Sequence, residues 1–237
     1  MALPFFYSEA IKVTDKEFVL NEETSKHVVQ VLRMQTGEQL LLTDGKGNLF
    51  TAEIMEDNRK KCVVKIISIE EKPLAEIRNT IAISLVKNSN RFEWFLEKAT
   101  ELGINTIIPL LCSRTEKQHF KPERMKSILI SAMLQSQQTW LPVLWEPTKI
   151  GEIIQRTNAE QKFIAHCEEG ELKESLTHHL LSNPTERIIL IGPEGDFTKE
   201  EIAEALLHNF KPVALGNTRL RTETAGVVAA TLLCIHQ

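Results

Sequence analysis

Two loops near the end of the chain carry the residue types that could do chemistry. The first reads Ile191-Gly192-Pro193-Glu194-Gly195-Asp196-Phe197-Thr198 and follows the apolar run 187–191. Its glycines let the backbone turn sharply and approach a ligand closely. Thr198 and Glu201 have the spacing of a capping box, the mark of a helix start. In open α/β sheets, ligands bind outside the carboxyl ends of the strands, where such a loop lies. The loop is neither GxGxxG nor GxxxxGKS/T, which disfavours a dinucleotide-binding unit and excludes a P-loop on pattern. The second loop reads Leu215-Gly216-Asn217-Thr218-Arg219-Leu220-Arg221-Thr222-Glu223-Thr224. Arg219 and Arg221 are two apart, so in an extended stretch they point the same way. Two guanidiniums beside a helix start, capped by Thr222 or Thr224, suit an anion or an RNA backbone. Spacing alone is also compatible with a plain strand-to-helix turn and two solvated arginines.

The elements that must position these loops follow from periodicity. Apolar runs at 80–86, 104–110, 162–166, 187–191 and 212–215 read as strands. Helical patterns fall between and after them, at 122–137, 172–181, 198–209 and 224–235. A further helix, with Asn90 as its cap and Glu93 completing the capping pattern, buries Phe92, Phe95 and Leu96 and stops at Gly103. Such alternation predicts a parallel sheet with helices packed on it. The first 72 residues read instead as β-rich, with strands at 16–20, 38–43, 49–55 and 61–69. Asp44-Gly45-Lys46-Gly47-Asn48 is a turn, and one helix over 22–34 is stopped near Gly37. A small barrel or open sandwich fits. Glu70-Glu71-Lys72-Pro73 marks the boundary, giving domains 1–72 and 73–237.

Composition narrows the class only modestly. Hydrophobic residues make up 42% and charged ones 25%, an ordinary globular balance that can fill a sizeable core. A net charge of −4 argues against a chain coated in nucleic acid but leaves room for a local basic face. No run approaches the roughly 20 apolar residues that span a bilayer, and the N-terminus lacks a signal-peptide pattern. The expected location is cytoplasmic. Cys62, Cys112, Cys167 and Cys234 form no CxxC pair, which favours buried free thiols over a disulfide framework or a zinc site.

Taken together, IGPEG and LG…LRTETA resemble the C-terminal signature of the SPOUT methyltransferases, specifically the ribosomal RNA small subunit methyltransferase E family. His27 with Val31-Leu32-Arg33 is similar to that family's HxxxVLR element. Lys87, Arg91, Glu93, Lys98, Ala99, Thr100, Glu101, Leu102 and Gly103 match its K…R.E…KATELG segment. Arg114 and the Gln135-Ser136…Pro142 stretch also match, so the resemblance spans nearly the whole chain in order. The chain departs from the pattern at Asp196, where the family more often has glycine. It departs too at Thr218, Arg219, Leu134 and Gln138.

The resemblance implies an α/β fold: a C-terminal SPOUT domain with a parallel sheet and a trefoil knot, plus a small N-terminal PUA-like β-barrel that binds RNA. It implies S-adenosyl-L-methionine as cofactor, no metal, a homodimer, and methyl transfer to N3 of a uridine in 16S ribosomal RNA of the small subunit. Carried over by position, Gly192, Gly195, Leu215, Gly216 and Leu220 bind the cofactor, through main-chain groups and an apolar slot for adenine. Uridine N3 carries a proton at neutral pH, so that proton must be removed or the developing anion stabilised. Arg221 is expected to stabilise that charge, with Glu223 orienting Arg221 or relaying a proton. His27, Arg33, Lys46, Lys87, Arg91 and Arg114 are the expected RNA contacts, Lys46 on the ground of its exposed turn. Two readings stand beside this one: a non-catalytic RNA-binding ribosome-assembly factor, and a SPOUT enzyme acting on another RNA. A nucleotide-binding enzyme with a conventional doubly wound sheet is disfavoured by the missing glycine motifs.

Overall fold

The structure, a computed structural model, describes residues 3–116, 120–168, 173–180 and 184–235. The chain divides into two compact units, Met1–Leu74 with Met133–Leu141, and Ala75–Ala132 with Pro142–Gln237. Among the described residues no helix is long and apolar enough to cross a membrane.

The first unit contains β1 (Phe5–Tyr7), β2 (Glu17–Val19), α1 (Glu22–Lys26), β3 (Gln39–Thr43), β4 (Asn48–Glu56) and β5 (Val63–Glu71). They build a five-stranded sheet in the order β1-β3-β4-β5-β2. Only β1 pairs in parallel, with β3. Leu40 and Leu42 on β3, and Phe50, Ala52 and Ile54 on β4, alternate along their strands and are fully buried. That period of two places one face of the sheet on the core. The Asp44 carboxylate shapes the β3–β4 turn by accepting the N–H groups of Lys46 and Asn48. Trp140 packs on the same turn, where a Cβ on Gly47 would lie 2.4 Å from its ring.

The helix expected over 22–34 takes a different form. The α-helix ends at Lys26, and His27–Val31 form a wider π turn in which Leu32 N–H donates to His27 C=O at 2.9 Å. Arg33, with φ 57°, ends it, and Gly37 instead donates to Ile54 C=O beside β4. β1 is three residues long, too short for periodicity to announce.

The second unit contains β6 (Arg78–Ser84), α2 (Ser89–Glu101), β7 (Thr106–Leu111), α3 (Pro122–Gln135), β8 (Val143–Leu144), β9 (Thr148–Lys149) and α4 (Ile150–Arg156). β10 (Gln161–Ala165), β11 (Glu174–Ser175), β12 (Glu186–Ile191), α5 (Lys199–Leu207), β13 (Lys211–Ala214) and α6 (Thr222–Ile235) follow. The last residues of α3 group with the first unit. The strands pair throughout in parallel, in the order β11-β13-β10-β12-β6-β7-β8, with β9 also on β7. The middle strands are continuously buried, as a sheet covered on both faces requires. Ala82 faces a cluster with Ile153, Ile154, Ile202 and Ala205 from α4 and α5. Ile83, the next residue of β6, faces α6, which also packs against α2.

Two further expectations are corrected here. Among the described residues of 172–181 there is no α-helix: Glu174–Ser175 form an edge strand on β13, and Leu176–His179 a single 3-10 turn. Leu172 and Leu181 lie outside the described residues. The apolar spacing of Leu176 and Leu180 is real, and both are buried, but strand pairing claims the segment. Asn88, not Asn90, caps α2, its side chain accepting Asn90 N–H at 3.0 Å, while Glu93 pairs with Arg124 at 2.9 Å. Helix α4 gave no cap or length signal. The capping box of α5 is present as expected, with both Thr198 and Glu201 in place.

Gly226 lets α6 approach β6 and α2, since a Cβ there would lie 2.7 Å from Ile83 Cδ1 and from the Phe95 ring. Gly226→Ala gains helix propensity but overpacks this contact, with a net loss of about 1–2 kcal/mol. Urea unfolding checks it: the midpoint falls, and an unchanged midpoint would mean that the helix shifts freely.

Candidate active site

Strands β10, β12 and β13 are parallel neighbours, so their carboxyl ends open on one edge of the sheet. A cleft of about 380 Å³ at that edge is bounded by Cys167, Gly192, Glu194, Asp196, Arg219 and Arg221. A second, of about 520 Å³, is bounded by Lys173, Leu215, Gly216 and Asn217. Ala165, Cys167, Arg219, Leu220 and Ala225 line both, so these are two lobes of one cleft. Either volume suits a small-molecule site, about 300–1,000 Å³.

The loop from Gly192 to Thr198 is tied down along its length by neighbouring elements. Thr222, opening α6, donates its hydroxyl to Gly192 C=O at 3.0 Å. The Glu194 carboxylate accepts Lys87 N–H at 3.2 Å, from the loop after β6. Arg114, after β7, donates from Nη1 to Gly195 C=O at 2.7 Å and to Phe197 C=O at 3.2 Å. Asp196 accepts Cys167 N–H at 2.8 Å, from the loop after β10. Glu201 accepts Thr198 N–H and, with its other oxygen, Ser113 N–H. Gly192 is constrained by space as well: a Cβ there would crowd the Phe197 ring at 3.2 Å.

The opposite wall is looser and barer. Gly216 has φ 154°, and no atom lies within 4 Å of where its Cβ would be. Its main chain therefore borders open space, flanked by half-buried Leu215 and Leu220. Main-chain polar groups next to apolar side chains fit a ligand with a flat heterocycle.

The structure brings Gly192, Leu215, Gly216, Leu220, Arg219 and Arg221 to the cleft. Gly195 does not line it; its role in the structure is the carbonyl that Arg114 holds. Glu223 is buried and lies by Arg91, Oε1 to Nε 3.6 Å, rather than by Arg221, which is exposed at the cleft. Its Oε2 has no hydrogen-bond partner among the described residues. Arg114 is engaged by loop carbonyls, and Lys87 pairs with Glu116 at 3.2 Å. In the first unit, His27 meets the Phe6 ring edge-on at 5.7 Å, and Arg33 and Lys46 are exposed. Sequence reasoning missed Cys167 and Lys173. The strand at 162–166 was legible, but only its place beside β12 draws its loop into the site.

Residues 71–234 match the family described as RNA methyltransferase domain, and residues 20–67 match the one described as RNA methyltransferase PUA domain. The ribosomal RNA small subunit methyltransferase E of Synechocystis sp. is 30% identical over 207 residues, covering 86% of this chain and 68% of the relative. The chain belongs to the ribosomal RNA small subunit methyltransferase E family. This SPOUT-type family has the α/β fold with a parallel sheet and a separate PUA-like N-terminal domain seen here. A crystal structure from Porphyromonas gingivalis, described as a probable rRNA methyltransferase, is 38% identical with a TM-score of 0.90, covering 99% of this chain and 100% of that one. Ribosomal RNA small subunit methyltransferase E from Neisseria gonorrhoeae, crystallised with S-adenosyl methionine, is 26% identical with a TM-score of 0.82, covering 97% and 95%.

Of the four thiols, only Cys167 is exposed, at the cleft. Burial pushes Cys62 up to about 11, Cys112 to about 12 and Cys234 to about 11. Because the thiolate is the nucleophile, brief iodoacetamide treatment of the folded protein at about pH 8 should label Cys167 well before the others. Peptide mass spectrometry reads this, and first labelling at Cys112 would contradict the geometry.

Proposed function

We propose that this member of the family is an S-adenosyl-L-methionine-dependent methyltransferase acting on N3 of a uridine in 16S ribosomal RNA of the small subunit. The observation that carries the reading is the two-lobed cleft at the ends of β10, β12 and β13, with bare main chain at Gly216 and two arginines at its rim. The cofactor bound to the Neisseria relative supports it. When bound, S-adenosyl-L-methionine supplies a methyl group on a sulfonium centre. Leu215 and Leu220 would give its adenine an apolar slot, Gly216 and neighbouring main chain would give it hydrogen bonds, and Gly192 bounds the other lobe. Gly195 serves through the carbonyl that fixes its loop.

For uridine N3 to accept that methyl group it must lose its proton. Arg221 stabilises the negative charge that develops on the uracil ring. Glu223, with an oxygen free of partners among the described residues, is the acceptor for relaying the proton. Arg91 holds Glu223 in place across α2 and α6. His27, Arg33 and Lys46 in the PUA-like unit, with Lys87 and Arg91 in the second, are the proposed RNA contacts. Arg114 supports RNA binding by fixing loop 192–198 rather than as a free cation. A C-terminal trefoil knot and a homodimer complete the reading, both on the strength of family membership.

Transfer of labelled methyl to undermodified small ribosomal subunits, with mass spectrometry of the nucleosides, tests the reaction. The expected product is 3-methyluridine; another methylated base would sink the N3 assignment. Arg221→Ala should lower kcat about a hundredfold or more while cofactor Kd changes less than about threefold. Near-wild-type turnover would remove Arg221 from the mechanism.

A further inference from the structure

Asp196 sits at φ 64°, in the left-handed region where glycine is the unstrained choice. An aspartate held there carries a local cost, so an interaction of its side chain must offset it. Both carboxylate oxygens are engaged by main chain. Oδ1 accepts Phe197 N–H at 2.9 Å, a bond within the loop itself. Oδ2 accepts Cys167 N–H at 2.8 Å, a bond to a different strand's loop. Cys167 lines both lobes of the cleft, and Asp196 lines the first. The loop after β10 is fastened at two further points: Lys173 Nζ donates to His166 C=O at 2.8 Å and to Glu168 C=O at 2.6 Å. Lys199, at the start of α5, pairs with Glu168 at 3.1 Å. That last pair is exposed and contributes little. The Asp196–Cys167 bond joins the start of the loop after β10 directly to loop 192–198 at the cleft.

We propose that Asp196 is a positioning residue of the cofactor cleft, clamping the loop after β10 to loop 192–198 and so setting the cleft's width. The proposal rests on reading this cleft as the S-adenosyl-L-methionine site. A residue serving only its own turn would be replaceable by glycine, which adopts φ 64° without strain. A clamp would not.

The full-length wild type, Asp196→Gly and Asp196→Asn are compared by calorimetry with S-adenosyl-L-methionine, by urea unfolding, and by amide hydrogen exchange of the ligand-free protein. Asp196→Gly should keep its unfolding midpoint, lose about tenfold protection at the Cys167 amide, and bind the cofactor about tenfold more weakly. Its kcat at saturating cofactor should stay within about threefold of wild type, because Asp196 acts on binding. Asp196→Asn, whose amide oxygen can still accept Cys167 N–H, should recover most of the affinity. Wild-type affinity in Asp196→Gly overturns the proposal, whatever the exchange shows. If the wild type itself does not bind, the reading of the cleft fails instead. The clamp is then judged on exchange alone: lost Cys167 protection in Asp196→Gly upholds it, and retained protection overturns it.

Discussion

The fastening of loop 192–198 is the constraint on which the site depends. Seven residues following a strand would ordinarily be free to move, and ordering each costs about 1–2 kcal/mol. Here Thr222, Lys87, Arg114 and Cys167 each reach the loop from a different segment. Several of these bonds involve a charged partner, worth about 1.5–3 kcal/mol apiece. They come from the loops after β6, β7 and β10 and from the start of α6. The parallel sheet makes this possible, because it brings every one of those loops to the same edge. A cleft fixed in advance leaves less ordering to be done when a ligand arrives.

How much of this was legible follows from the range of each interaction. The capping box of Thr198 and Glu201 is three residues long and could be read directly. Buried parallel strands announce themselves as apolar runs, so β6, β7, β10 and β12 were visible. The two loops stood out by composition, but their chemistry came from resemblance. The pairing of Glu223 with Arg91 joins two distant helices, and no spacing rule connects them. The π turn at His27–Val31 has no residue signature, because the same apolar spacing suits an α-helix. At 173–180 helical spacing was present and tertiary pairing overrode it.

Arginines lie at both edges of the sheet, exposed Arg78 and Arg156 among them at the amino edge, beside a further cleft of about 400 Å³. The carboxyl edge holds exposed arginines at an open cleft. Towards the amino edge Arg187 is only 1% exposed, its Nε donating to Gln161 at 3.0 Å and its Nη1 to Leu233 C=O at 3.5 Å. Burial pulls its guanidinium below the usual arginine range. Asn79 also donates to Leu233 C=O, at 3.4 Å. These buried polar residues fasten the end of α6 to the sheet.

Helix α6 therefore behaves as a rod fixed at both ends. Thr222 anchors its first turn to the cleft loop, and Leu233 anchors its last to β12 and β6. Between them Gly226 faces Ile83 and Phe95 without room for a side chain. Adding or removing one residue ahead of the helix would turn it by about 100°, bringing a bulkier residue to that contact and moving Thr222 off Gly192. The connection from β13 to α6 thus has a set length. Variation in chain length must be absorbed elsewhere in the molecule, in segments that do not feed directly into a helix held at both ends.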